Sequence, residues 1–243
     1  MKQQPKVGNG AGGAPEDAAA AAEPNPELES LATGVEMTLA SVMQGIALAI
    51  LVPKIVELIT GGEIAKLPYI PASLLLMFMV WVMFIGHAIS FITWPFDPLH
   101  NMLYFLIASS EAVLLFFLDQ PGPWFLSLVG LALLLGFSCW YNQGLLRRNT
   151  SLYRTAAAQK LYAHIMDEQR VGLQFMAGYC LVGLAGFGAL QLRPDLGLAQ
   201  ELGWVVTGFG AMVLPLIHVL WQARMMARRA RLILHVKAAP VTL

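Results

Sequence analysis

The chain has 243 residues, of which 57% are hydrophobic and 12% are charged, and its 15 basic and 15 acidic side chains leave no net charge. The apolar residues are gathered into runs of nearly membrane length, in place of the alternating or helical stripes of soluble domains. This pattern excludes an ordinary soluble globular domain and predicts an all-α, polytopic integral membrane protein.

The first segment, residues 1–30, is acidic and rich in Ala, Gly and Pro. It lacks the basic-then-apolar order of a secretory signal peptide. Because this composition offers little apolar surface to bury, we expect residues 1–30 to be a disordered cytoplasmic tail.

Six apolar runs follow, each close to the ~20 residues that a helix needs to cross a hydrocarbon core of ~30 Å. They predict a six-span helical bundle over residues 31–222, with a tight Pro-Gly-Pro turn between the third and fourth spans. The runs are Val35–Val52, Ile70–Ile92, Asn101–Leu118, Trp124–Trp140, Val171–Leu192 and Leu202–Trp221.

The basic residues are divided unevenly between the two sides that six spans would create. If both termini share one side, that side holds all but Lys54, Lys66 and Arg193 of the 15 basic residues. The positive-inside rule then places both termini in the cytoplasm. We expect the membrane to be the plasma (inner) membrane.

The fifth and sixth helices are expected to continue beyond the membrane. No proline occurs between Thr150 or Ser151, either of which could cap a helix, and Gln191. Residues 150–170 are therefore predicted to form a cytoplasmic helical extension, whose apolar stripe needs a neighbouring helix, a second subunit or lipid headgroups to cover it. Residues 223–243 would form a basic cytoplasmic helix and tail.

Arginines on these two extensions are candidate contacts for a protein partner or for anionic lipid. The simpler interpretation is that they only enforce topology. Nucleic-acid binding is not expected, because the basic segment is short and no recognition motif accompanies it. The candidate residues are Arg154, Arg170, Arg224, Arg228, Arg229 and Arg231.

Glu111 is the main functional candidate, because an ionisable side chain near the bilayer centre costs ~2.5–3.5 kcal/mol on insertion scales. His100 is expected at the cytoplasmic edge of the membrane, and Glu111 lies about 16 Å further along the third helix, near the midplane. Gln44 of the first span lies at nearly the same depth, which predicts a Gln44–Glu111 contact. His87 adds a polar group in the cytoplasmic half of the second span. The alternative is that Glu111 is a protonated carboxyl group that serves only helix packing.

These features predict a small channel or transporter subunit with a protonatable pathway that opens toward the cytoplasm. Glu111, Gln44 and His87 would line the pathway, and His100 would stand at its inner mouth. Six spans leave little room for a private pore, so we expect a homo-oligomer or a subunit of a membrane complex, surrounded by lipids. The alternative function is a non-transporting scaffold or accessory subunit that recruits a partner through its basic cytoplasmic helices.

A membrane-embedded enzyme or redox protein is a third hypothesis. His87 and His218 are the only candidates at comparable depth for a haem held between facing spans. The two cysteines, Cys139 and Cys180, form no C-x-x-C pattern. The sequence also lacks H-E-x-x-H, G-x-S-x-G and Walker A motifs, so we expect no catalytic residues, no cofactor and no metal.

Overall fold

The computed structural model describes residues 26–88, 98–191 and 198–238, which form six α-helices and two short 3₁₀ turns and contain no strand. The all-α class is therefore confirmed for these ranges. The turns are Ile64–Lys66 and Thr150–Leu152. The helices are α1 (Pro26–Thr60), α2 (Tyr69–Ala88), α3 (Pro98–Phe116), α4 (Pro121–Arg148), α5 (Ala156–Gln191) and α6 (Leu198–Ala238).

Within these ranges, five helices are long and apolar enough to cross a membrane, which indicates an integral membrane protein. They are α1, α2, α4, α5 and α6. The third predicted span corresponds to α3, whose apolar stretch Met102–Phe116 is shorter. Helix α3 as a whole has 19 residues and ends at Phe116, ahead of the Pro-Gly-Pro turn that opens α4.

Helices α1 and α3 run in the same direction. Gln44 contacts Glu111 in the middle of the pair, and Lys54 Nζ lies 3.3 Å from Asp119 Oδ1 just beyond the end of α3. Helix α2 runs back from α1 through a tight turn, in which Gly62 adopts a positive φ of 72° that a side chain would disfavour.

Helices α2 and α6 also run in the same direction, opposite to α1. Tyr69 Oη lies 2.7 Å from Thr207 Oγ1 near the start of both helices. Near the other end, the Arg229 guanidinium donates a hydrogen bond to the Gly86 carbonyl oxygen. Each of these helices therefore runs from one end of the bundle to the other.

Helix α5 is antiparallel to α4 and α6. Near the start of α4, Phe125 packs against Gly186 of α5, whereas Cys139 near its end meets Gly172. Between α5 and α6, His164 Nε2 lies 3.3 Å from the Met225 carbonyl oxygen. The six helices therefore alternate in direction, and the start of α1 and the end of α6 lie at the same end of the bundle.

Exposed arginines mark this end, which we call the basic end: Arg147, Arg148, Arg154, Arg170, Arg224, Arg228 and Arg231. At the opposite end, Lys54 and Lys66 are the basic residues in the part of the chain that the structure describes. The lengthwise sides carry exposed apolar residues such as Leu133 and Leu181, which are 62% and 69% exposed. Such a surface suits lipid or another apolar partner.

The structure corrects two predicted boundaries. Residues 26–30, assigned to the disordered tail, belong to α1. The fifth helix begins at Ala156, not at Thr150 or Ser151, which form a 3₁₀ turn. Thr155 is the residue that caps the helix, since the Ala158 amide donates to its Oγ1 at 3.1 Å.

The start of α5, residues 156–170, and the end of α6, residues 223–238, pack on each other, and we call them the helical extensions. Part of the predicted apolar stripe is buried: Leu161 and Ile165 on α5 are each 1% exposed, whereas Ala156 at the start of the helix is exposed. This small second core also includes Leu146 of α4 and is covered by Leu232 and Ile233 of α6. The sequence left three possible partners for the stripe: a neighbouring helix, a second subunit or lipid headgroups. In the structure the partner is a neighbouring helix of the same chain, α6.

Candidate functional site

Gln44 and Glu111 form the contact that the sequence predicts, with Gln44 Nε2 3.4 Å from Glu111 Oε2. Both side chains are buried, and Glu111 is only 2% exposed. The second carboxyl oxygen, Oε1, has no hydrogen-bond partner among the described residues. The predicted contact is confirmed, whereas its role in conduction stays a prediction.

Two histidines, His100 and His87, were also predicted to belong to this pathway. His100 lies away from the Gln44–Glu111 contact, and the side chain of His87 is outside the residues that the structure describes. His100 is fully buried on α3, with its ring centroid 4.3 Å from that of Tyr104. It remains about 16 Å along the helix from Glu111. The backbone of His87 belongs to α2, but its side chain lies outside the described residues. Of the side chains described, Gln44 and Glu111 are thus the two pathway candidates that meet.

A cavity of about 70 Å³ lies between helices α2 to α6, toward the basic end. Helix α3 contributes Tyr104 and Ile107 to its wall, but Gln44 and Glu111 do not reach it. It is therefore a second polar region, which we call the inner cavity. Its polar lining includes Ser138, Asn142, Glu168, Gln169, Gln222 and Arg229.

Helical spacing explains why these polar side chains converge. Ser138 and Asn142 are four residues apart on α4 and so share one face. On α5, Glu168 and Gly172 share a face in the same way. A Cβ atom on Gly172 would lie 3.2 Å from Cys139 Sγ, so this glycine lets α4 and α5 approach closely beside the cavity.

Glu168 and Arg229 form a buried ion pair at the inner cavity, with side chains 6% and 9% exposed. His164 Nε2 lies 3.3 Å from the other carboxylate oxygen, Oε1. The Arg229 guanidinium also donates to the Gly86 carbonyl oxygen on α2. A buried guanidinium needs such partners, because an unpaired charge away from water is strongly disfavoured.

Arg229 was predicted to lie on a partner or lipid surface, and the structure contradicts this placement. Its side chain points into the bundle, where Glu168 of α5 and Gly86 of α2 receive it. It lies on the same face of α6 as Gln222, two helical turns earlier. The other predicted surface arginines are exposed: Arg154, Arg170, Arg224, Arg228 and Arg231.

Three amide oxygens in the cavity wall have no hydrogen-bond partner among the described residues. They are Asn142 Oδ1, Gln169 Oε1 and Gln222 Oε1. Asn142 is 5% exposed and Gln222 is 9% exposed. Buried acceptors of this kind are normally satisfied by ordered water or by a ligand.

His218 lines the inner cavity on α6 and is held on two sides. Its ring stacks on Phe175 with centroids 4.0 Å apart, and its Nδ1 lies 3.1 Å from Tyr179 Oη. Tyr179 Oη lies 3.3 Å from Met79 Sδ. No group of three or more potential metal ligands occurs in the described ranges.

Sequence reasoning missed Glu168, Gln169, Asn142 and Gln222 as site residues. Each lies close to a predicted span end, where polar residues are ordinary, so depth alone gave no reason to select them. A usable signal was present on α5, where His164 and Glu168 are four residues apart and share a face.

No family model matches this chain, and it has no significant match among curated proteins or solved structures.

Proposed function

We propose that this chain is a six-span protein of the plasma (inner) membrane with both termini in the cytoplasm. Helix α3 would be the sixth span, because it runs parallel to α1 from the level of Gln44 to that of Lys54. The exposed arginines at the basic end support the orientation through the positive-inside rule.

Within this topology we propose a channel or transporter subunit. The observation that carries the proposal is the inner cavity, a polar space with a buried ion pair in a bundle whose sides are apolar. Buried ionisable groups in a membrane are costly, and they commonly mark substrate or ion pathways. The inner cavity would be the cytoplasmic half of the pathway.

Glu111 would be the protonatable group at mid-membrane. Ile107 and Tyr104 line the cavity one and two helical turns from Glu111 on α3, so this helix links the cavity to the Gln44–Glu111 pair. Passage beyond the cavity would require Gln44 and Glu111 to separate. The protonation state of Glu111 would change the strength of its contact with Gln44 and so the ease of this separation. His100 and His87 would lie toward the cytoplasmic mouth of the pathway.

The test is flux through vesicles that contain the purified protein. Proton, potassium, water and urea permeation are measured separately over a range of external pH. We expect at least one probe to cross faster than in protein-free vesicles, with a pH profile that flattens in Glu111→Gln. Ser109→Ala is the matched control, because Ser109 is exposed on the same helix. If no probe crosses faster, or if Glu111→Gln keeps the wild-type profile, the proposed pathway is wrong.

A scaffold or accessory subunit is the second candidate, favoured by five exposed arginines: Arg154 just ahead of α5, Arg170 on α5, and Arg224, Arg228 and Arg231 on α6. Because the apolar stripe of α5 is already covered by α6, a partner would bind mainly through these charges. Replacing Arg224, Arg228 and Arg231 by Gln would then abolish partner binding and cellular activity, whereas Glu111→Gln would not. The opposite result would support transport.

An oligomer is part of the transport proposal. Val42 and Ile46 lie one turn apart on α1 and are each 54% exposed. They provide an apolar strip that suits a second copy or lipid. Cross-linking of single cysteines at these positions in native membranes would yield dimers or larger species, and monomers alone would refute a homo-oligomer packed through α1.

A further inference from the structure

The inner cavity also indicates the kind of molecule that it accepts. The described lining of the cavity contains one carboxylate, Glu168, and one guanidinium, Arg229. These two opposite charges form an ion pair and neutralise each other. The other titratable side chains that face it are Tyr104, Cys139 and His218. A charged occupant would therefore meet no opposite charge that is not already paired.

The hydrogen-bonding pattern is equally specific. The three amide oxygens of Asn142, Gln169 and Gln222 face the cavity without a partner among the residues described. Amide oxygens only accept hydrogen bonds, so an occupant that satisfies them must donate. Asn142 and Gln222 are more than nine-tenths buried, so bulk solvent does not satisfy them.

Size sets the third limit. A cavity must have a volume of at least ~10–15 Å³ to hold one water molecule. The inner cavity, at about 70 Å³, therefore has room for about five waters or for one solute of similar bulk. This is far below the ~300–1,000 Å³ of sites for drug-sized ligands. Lipid tails, peptides and nucleotides are too large.

We propose that the inner cavity binds and passes small uncharged molecules that donate hydrogen bonds, namely water or a neutral solute of urea's size. Asn142, Gln169 and Gln222 accept these hydrogen bonds, and the Glu168–Arg229 pair is the neutral wall of the site. This inference rests on the proposed transport function and names its substrate class.

Urea and guanidinium form the sharpest probe pair, because they share a planar shape and differ in charge. Stopped-flow light scattering of protein-containing vesicles gives water and urea permeability, and guanidinium entry is followed in parallel. We expect water, urea or both to cross, with guanidinium excluded. Water without urea would identify water as the substrate, and urea with water would identify a small neutral solute.

Leucine replacements test the acceptors. Gln169→Leu and Asn142→Leu each remove one amide oxygen, and we expect neutral-solute permeability to fall about tenfold, as for one lost hydrogen bond. Gln174→Leu is the matched control, because Gln174 is an exposed residue on the same helix as Gln169. Thermal unfolding in detergent verifies that each variant is folded. If guanidinium, potassium or proton flux responds to Gln169→Leu while neutral permeability does not, the substrate class is wrong and transport stands.

A second measurement does not depend on transport. Hydroxyl radicals produced by X-ray radiolysis modify buried side chains that contact internal water. Cys139 is 2% exposed and lines the cavity, whereas the fully buried Trp124 does not. We expect Cys139 to be modified in the wild type, to be modified at least about threefold less in Gln222→Leu, and Trp124 to stay unmodified. An unmodified Cys139 would overturn the inference, whereas modification without any flux would overturn the proposed function and the passage of these molecules but leave their binding in the cavity.

Discussion

Glu168 on α5 and Arg229 on α6 form an ion pair inside the bundle, although the two residues are far apart in the chain. The pair joins the two longest helices, and the bond from Arg229 to Gly86 extends the connection to α2. Three helices are therefore held together near the basic end of the bundle.

Loss of Arg229 is expected to destabilise the fold strongly. Arg229→Gln leaves the Glu168 carboxylate buried without its cation, and breaking a buried pair in this way costs ~3–5 kcal/mol. Arg228→Gln, one residue earlier and exposed, should change stability by less than ~0.5 kcal/mol. The free energy of unfolding measured by SDS titration in detergent micelles checks both values.

Removing both charges distinguishes an ion pair from a general packing role. The Glu168→Gln/Arg229→Gln double variant should recover part of the stability lost in Arg229→Gln, because neither charge is then left unpaired. Equal or greater destabilisation of the double variant would show that the charges do not act as a pair.

The Gln44–Glu111 contact should contribute modestly. Its length of 3.4 Å is that of a weak hydrogen bond, and interhelical hydrogen bonds in membrane proteins contribute ~0.6 kcal/mol on average. Gln44→Leu should therefore lower stability by about 1 kcal/mol or less. Ser41→Ala is the control on the exposed side of α1. A loss of several kcal/mol would assign this contact a mainly structural role.

The approach of α4 and α5 away from the cavity depends on Gly183. A Cβ atom there would lie 2.5 Å from Val129 Cγ2 and 2.9 Å from the Phe125 carbonyl oxygen. Gly183→Ala must push the helices apart and should cost ~1–3 kcal/mol, the usual effect of overpacking. Gly188→Ala provides the comparison, since nothing lies within 4 Å of its Cβ position. Equal unfolding free energies for the two variants would contradict this packing.

The packed helical extensions predict a measurable second core at the basic end. Leu161 is 1% exposed there, so Leu161→Ala should cost ~2–5 kcal/mol by leaving a cavity. Leu234 is 66% exposed, and Leu234→Ala should have little effect. Hydrogen exchange at residues 156–170 would report the loosening directly, and unchanged protection in Leu161→Ala would disprove the contact between the extensions.

The sequence alone determined the helices and one long-range contact. Apolar runs of about 20 residues leave a chain in lipid no option but helices, because helical hydrogen bonding satisfies the backbone internally. The constant rise of ~1.5 Å per residue then gave the depth of each polar side chain, and this brought Gln44 and Glu111 to the same level. Depth was enough for this pair because both residues stand out in otherwise apolar surroundings.

Only the tertiary structure decided which polar side chains converge at the basic end. Arg229 is one of four arginines between 224 and 231, and the sequence gives no basis for selecting the one that turns inward. That choice depends on the rotation of α6 about its axis and on α2 and α5 being its neighbours, which the packing of the whole bundle sets. The same rotation brings Gln222 to the cavity and covers the apolar stripe of α5, so the proposed substrate site arises from helix packing that periodicity and depth do not specify.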